Sequence, residues 1–340
     1  MSALVRTSDA LVFGNYPTPV ERLAGLSTDK TTLWVKRDDK TSDLYGGNKV
    51  RKLEHLVAEA KRRGKKRVLT IGAAGSHHVL ATALFAGREG LAVDAVVIPQ
   101  RYTPHVAANL RADLGAGATL RPTWGYTGVP FAVLGGWTRE SYFVPMGGSN
   151  VVGSMGYVEA AAELAAQVRA GELPEPDLAV VTLGSGGTVA GLAAGLALAG
   201  LKTRVMAVVV AGPSFVTTAM ARWLAARCFR RAGGTDRAQL RGRIVPTADY
   251  LGKGYGEPSW AGDQATVRAA EHGLTLDPTY TAKCFAAVLD VVAGGDFANV
   301  LYWHTLSSAP MAPLLEGAPA EADLPNGLRK LLVGDRKILK

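Results

Sequence analysis

Cysteine is almost absent from this 340-residue sequence, which holds only Cys228 and Cys284. Two thiols with no C-x-x-C partner exclude a disulfide framework and fit a reducing compartment, where they serve as ordinary buried or half-buried side chains. Aromatics are scarce at 7%, and no apolar run reaches the roughly 18 residues of a membrane span before glycine or charge interrupts it. Residues Met1 to Asn15 mix Arg6 and Asp9 with short apolar pieces and lack the continuous apolar stretch of a signal peptide. These absences point to a soluble, cytoplasmic protein without a membrane partner. Internal repeats and low-complexity tracts are missing too, which removes solenoid and disordered architectures.

What is present is 48% hydrophobic residues, 40 glycines and a net charge of +9. A chain this long exceeds the roughly 250 residues at which a single core stops growing, so two packed domains are expected. The positive charge alone would permit nucleic acid, but its distribution argues against that partner. Between positions 222 and 243, Arg222, Arg227, Arg230, Arg231, Arg237, Arg241 and Arg243 face only Asp236, so one segment carries most of the excess. Its arginines fall at mixed positions around a helical turn. That pattern reads as a solvated basic helix and loop, with an acidic partner or an anion funnel as the alternative.

Short β-branched runs alternate with alanine-rich stretches of helical spacing. Arg67 to Ile71, Ala92 to Ile98, Leu178 to Leu183 and Arg204 to Val210 read as strands buried on both faces, the signature of a parallel sheet. Between and around them, Lys52 to Arg63, His78 to Glu89, Pro104 to Leu114, Gly156 to Arg169 and Thr188 to Leu198 read as helices stopped by glycines such as Gly64, Gly90 and Gly171. The fold class is α/β, open and doubly wound.

Three glycine-rich clusters stand before helices, two of them directly after such strands. Leu183 to Gly191 (L-G-S-G-G-T-V-A-G) lets backbone N–H groups converge at a helix start, with Ser185 and Thr188 adding hydroxyls, which suits a phosphate. It lacks the spacing of a dinucleotide fingerprint and the lysine of a Walker loop, and a glycine turn without ligand is the bland alternative. In Gly46-Gly47-Asn48-Lys49, Asn48 can cap a helix whose first turn crowds Lys49, Arg51 and Lys52 together. Cations at a helix start lower a lysine pKa, as an amine nucleophile requires, though solvated surface lysines are the alternative. Thr70 to Val79 places Ser76 where it could cap a helix or face a substrate. His77 and His78 are adjacent and so diverge on a helix, and no carboxylate–histidine spacing accompanies them, so no metal is expected.

Taken together, K-R-D-D before G-G-N-K-x-R-K-L-E, then G-x-x-x-S-x-H, G-G-S-N-x-x-G-x-x-G-Y, G-S-G-G-T, G-K-G-Y-G-E-P and L-D-P-T-Y-T-A-K resemble one family in order from Lys36 to His304. It is the D-cysteine desulfhydrase and 1-aminocyclopropane-1-carboxylate deaminase group of fold-type II pyridoxal phosphate enzymes. The resemblance implies a tryptophan synthase β-like fold, with a large domain of residues 1–50 and 153–340 and a small inserted α/β domain of residues 51–152. It also implies pyridoxal 5'-phosphate as cofactor, a small amino acid as substrate and a homodimer.

By the same resemblance Lys49 links covalently to the cofactor, Asn48 and Lys52 assist cofactor binding, and Gly184, Ser185, Gly186, Gly187 and Thr188 hold its phosphate. Ser76 faces the substrate and works with Lys49 in proton transfer. Tyr255 and Tyr280 resemble the two active-site tyrosines, with a core tyrosine as the bland alternative, while His78 and Thr281 border the substrate. His77 stands where the family has asparagine beside the cofactor, and Thr305, after the late histidine, is a further cofactor-binding residue by the resemblance. Cyclopropane deaminases resemble one another in having glutamate and leucine where this chain has Thr281 and Thr305, so the resemblance favours β-elimination from D-cysteine or a related β-substituted amino acid. Ring-opening deamination is the alternative, and an inactive scaffold a second one. Leu306 and Ser307 replace two family glycines, which bears on substrate preference more than on cofactor binding.

Overall fold

The computed structural model describes residues 9–331; residues 1–8 and 332–340, counted above in the large domain, lie outside the described residues. In chain order the strands are β1 (Val20–Arg22), β2 (Thr32–Lys36), β3 (Arg67–Ala73), β4 (Ala92–Ile98), β5 (Thr119–Pro122), β6 (Ser141–Val144), β7 (Leu178–Leu183), β8 (Arg204–Val209), β9 (Ile244–Thr247) and β10 (Asn299–Trp303). The longer helices are α1 (Lys49–Arg62), α2 (His77–Arg88), α3 (Pro104–Gly115), α4 (Val129–Gly136), α5 (Val151–Arg169), α6 (Gly187–Leu198), α7 (Ser214–Arg231), α8 (Trp260–Ala270) and α9 (Thr281–Gly294). Two sheets result, ordered β1-β2-β10-β7-β8-β9 and β5-β4-β3-β6, and every described pairing except β1 with β2 is parallel.

The chain divides into two compact units. The larger joins Gly14–Lys52 to Ser149–Ala309, and the smaller joins Asp9–Phe13 and Leu53–Gly148 to residues 310–331. In the larger unit β7 shows why its sequence is apolar at every position but Thr182. Val181 and Leu183 pack into a core with α5, α6 and α7, while Leu178 and Val180 pack into a second core with α8 and α9. A strand covered on both faces has no solvent side to mark with polar residues. In the smaller unit β3 and β4 form the sheet centre, and Phe13 stacks on Phe85 of α2 with ring centroids 5.0 Å apart.

Glycine sets how closely the helices approach. A Cβ at Gly156 of α5 would lie 2.1 Å from the Arg51 carbonyl oxygen, and one at Gly191 of α6 would lie 2.4 Å from that of Ser154. Helix α5 starts at Val151, five residues before the expected Gly156, because the Asn150 side chain caps it by accepting from the Gly153 N–H at 2.8 Å. The basic segment forms the end of α7 and the loop after it. Arg227 lies over the Trp223 ring, and Arg243 donates to the carbonyl of Thr203 at 3.0 Å. Among the described residues no helix is long and apolar enough to cross a membrane, and no group of three metal-ligating side chains is present.

Candidate active site

Strand β7 runs into α6 through Gly184, Ser185 and Gly186, and Gly186 turns with φ +88, a backbone conformation that favours glycine. At the first residue of α6 the Gly187 N–H donates to Ser149 Oγ at 3.1 Å, and the Ser149 and Ser185 hydroxyls are 2.7 Å apart. Lys52 Nζ donates to the same Ser149 oxygen at 3.2 Å. A Cβ at Gly187 would fall 2.6 Å from Ser149 Oγ and 2.9 Å from Lys52 Nζ, so glycine keeps this cradle open. Backbone N–H groups, hydroxyls and a lysine amine at a helix N-terminus are the donor set that a phosphate dianion needs. The residues present therefore fit the phosphate end of pyridoxal 5'-phosphate.

Asn48, read above as the cap of α1, sends its amide elsewhere. Its Nδ2 donates to Thr188 Oγ1 at 3.1 Å, and its Oδ1 accepts from Lys49 Nζ at 2.6 Å. The Asn48 backbone N–H donates to the Thr305 carbonyl at 3.0 Å, which fixes the turn before the helix. Burial lowers the Lys49 amine to about 8, against a weaker upward pull from Asp277. Burial, followed by the charge of Lys49, also drives Lys52 well below the ordinary lysine value. Half-neutral near pH 8, an amine of this kind is a competent nucleophile and base.

A second group of side chains stands on α9 and the loop before α8. Tyr280 immediately precedes α9, and its hydroxyl contacts that of Tyr255, with the rings edge to face and centroids 5.7 Å apart. Asp277 organises this turn. Its Oδ1 accepts from the N–H groups of Thr279 (2.9 Å) and Tyr280 (2.7 Å), and its Oδ2 accepts from the Thr281 N–H (3.1 Å) and hydroxyl (2.7 Å). A Cβ at Gly184 would lie 3.7 Å from Tyr280 Cε1, so the phosphate cradle and the tyrosines are neighbours. His304 is buried beside Tyr302, whose hydroxyl is 3.1 Å from His304 Nδ1, and burial lowers the imidazole to about 4, leaving it neutral at pH 7.

The structure thus brings together Asn48, Lys49, Lys52, the Gly184–Thr188 loop, Tyr255, Tyr280, Thr281 and Thr305 in the larger unit. Ser76, His77 and His78 belong to the smaller unit. There Ser76 caps α2, accepting from the His78 N–H at 3.2 Å, and His78 Nε2 lies 2.8 Å from Thr70 Oγ1. Of the two residues that replace family glycines, Leu306 is buried, and Ser307 Oγ accepts from the Gly46 N–H at 2.9 Å. Sequence reasoning assigned nothing to Ser149, Asp277 or Lys283. All three lie inside the quoted motifs, which was the available signal.

The family described as pyridoxal-phosphate dependent enzyme matches residues 11–304. The chain is 36% identical over 315 residues to nocardicin C-9' epimerase of Nocardia uniformis subsp. tsuyamanensis, covering 90% of this chain and 94% of that protein. It is 33% identical over 304 residues to D-cysteine desulfhydrase of Klebsiella pneumoniae subsp. pneumoniae, covering 85% and 91%. A crystal structure of an ACC deaminase homologue superposes with a TM-score of 0.78 at 28% identity, covering 91% of this chain and 96% of that one.

Proposed function

Since the chain belongs to the pyridoxal-phosphate-dependent enzyme family, we propose that it is a carbon–sulfur lyase that eliminates the β-substituent of D-cysteine or a related β-substituted amino acid. The products are a 2-oxo acid, ammonia and the leaving group, sulfide for D-cysteine. Thr281 carries this reading. It is a buried hydroxyl engaged with Asp277 at 2.7 Å, at the position where the resemblance gives cyclopropane deaminases a glutamate. A hydroxyl cannot keep a pyridine nitrogen protonated as a carboxylate would, which suffices for a substrate whose leaving group departs promptly.

The cofactor, when bound, supplies a sink for the electrons left on Cα after its proton is removed. The Gly184–Thr188 loop and Lys52 hold the phosphate end. Lys49, oriented by Asn48, would hold the aldehyde end and would take the Cα proton at Nζ. Tyr255 and Tyr280 grip the substrate or polarise Lys49. Asn48, Thr305, His77 and His78 border cofactor and substrate, and Ser76 assists proton transfer; these roles are carried by the resemblance. A homodimer and a cytoplasmic location belong to the same proposal.

A second reading comes from the relative named an epimerase. Epimerisation begins with the same loss of the Cα proton but returns one to the opposite face and keeps the amino group. Parallel assays of purified holoenzyme decide between them. Ammonia and 2-oxo acid from D-cysteine or β-chloro-D-alanine, with little from 1-aminocyclopropane-1-carboxylate, support elimination. Faster turnover of the cyclopropane compound overturns it in favour of ring opening. Inverted, deuterium-labelled amino acid formed in D2O without ammonia overturns it in favour of epimerisation.

A further inference from the structure

We propose that Lys283 is a positioning residue that ties the loop bearing Tyr255 to the helix that follows Tyr280, and so sets the contact between the two phenols. Lys283 lies on α9, three residues after Tyr280, and is fully buried. Its Nζ donates to the Leu251 and Gly254 carbonyls, each at 2.8 Å. Gly254 is the residue before Tyr255.

The segment between β9 and α8 has no strand or helix to fix it. Gly252, Gly254 and Gly256 all take positive φ, at 61°, 128° and 78°. Around Tyr255 its internal backbone hydrogen bonds are long, with Gly254 N–H to Leu251 at 3.3 Å and Glu257 N–H to Gly254 at 3.4 Å, against 3.1 Å for Leu251 N–H to Ala248. Carbonyls turned inward from such a loop need donors, and burying an ammonium to provide them is costly unless the geometry is required. Burial accordingly pushes the Lys283 amine below its ordinary value, against smaller upward pulls from Glu257 and Asp277. The division of labour is then clear. Asp277 fixes the backbone of Tyr280 through its N–H at 2.7 Å, and Lys283 fixes the Gly254 carbonyl, which leads into Tyr255, across 29 residues of chain.

The consequence for turnover rests on the reading of both tyrosines as site residues, whereas the tether itself does not. The test therefore has two readouts on the holoenzyme. Amide hydrogen exchange followed by mass spectrometry compares the native protein with Lys283→Met. Exchange in residues 248–257 is expected to quicken by about tenfold or more while the β7–α6 peptides stay unchanged. Unchanged exchange in 248–257 overturns the tether. The second readout is a double-mutant cycle on kcat, using whichever amino acid the enzyme turns over. Tyr255→Phe is expected to lower kcat in the native background, and by less than about twofold once Lys283 is Met, because the phenol is already misplaced. Equal fold-losses in both backgrounds overturn the positioning role while leaving the proposed reaction untouched. If Lys283→Met does not fold, Lys283→Gln, which keeps one donor, is scored by the same two criteria.

Discussion

Arg51 and Lys49 stand two residues apart at the start of one helix, and the protein treats their charges in opposite ways. Arg51 is buried against two carboxylates. Its Nη2 lies 2.8 Å from Asp38 Oδ1 and its Nη1 3.0 Å from Glu163 Oε2. Tyr157 and Trp303 also donate to Asp38, at 2.7 and 2.8 Å, and Lys36 donates to Glu163 at 2.5 Å. Burial alone would lower the guanidinium, but Asp38 and Glu163 raise it well above its ordinary value. Among the described residues Lys49 meets only the neutral oxygen of Asn48 at hydrogen-bond distance, and it falls to about 8. A fully paired cation is locked in its charged form and serves as structure. A cation denied a carboxylate partner can lose its proton and do chemistry.

The comparison breaks most sharply at Lys49. Replacing it with alanine is expected to abolish the visible absorbance of the bound cofactor and to lower activity by several orders of magnitude, while the unfolding midpoint hardly moves. A spectrum that survives would refute the role.

Arg51→Met should do the reverse, because it leaves the buried carboxylate of Asp38 without its cation and half-buried Glu163 with Lys36 alone. A loss of about 3–5 kcal/mol in urea unfolding is expected for a broken buried pair, and an unchanged midpoint would show the network to be decorative. The acid side sharpens this further. Burial would raise Glu163, yet Arg51 and Lys36 hold it at about 2. A depressed carboxyl stabilises the fold above its unfolded value and loses that contribution as pH falls through about 2, so the native protein should weaken steeply below about pH 4.5. Glu163→Gln should flatten that slope.

A smaller effect concerns cofactor loading. Only a neutral amine attacks an aldehyde, so the rate at which cofactor-free protein takes up pyridoxal 5'-phosphate should rise with pH and level off above about 8. An ordinary lysine would keep the rate rising toward about 10.4. Stopped-flow absorbance across that range distinguishes the two.

The smallest expected change applies the same rule to an acid in the smaller unit. Asp113 of α3 is fully buried, and among the described residues neither carboxylate oxygen has a partner, so burial raises it well above the usual range. A raised carboxyl costs stability as pH climbs above its unfolded value. Asp113→Asn should therefore gain more in unfolding midpoint at pH 8 than at pH 5, and an equal shift at both would sink the assignment.

Much of this molecule was legible before any coordinates. The runs at Ala92–Ile98 and Leu178–Leu183 are strands with those bounds because both faces are covered, which leaves an apolar signature broken only by Asp94 and Thr182. The turn before α6 announced itself through glycines that only a close approach or a positive φ explains. β10 escaped notice although it lies between β2 and β7, since a five-residue piece such as N-V-L-Y-W gains its central place from long-range pairing rather than local pattern.

The sequence by itself determined the parallel sheets, the glycine loop and the crowding of three cations at one helix start, because each is written in neighbouring residues. Which cation keeps its proton was decided only by the tertiary structure. Asp38 reaches Arg51 from 13 residues away and Glu163 from 112, while Asn48 turns its amide to Lys49. Electrostatic pairing acts across a few ångströms of space, and chain order carries no record of that distance.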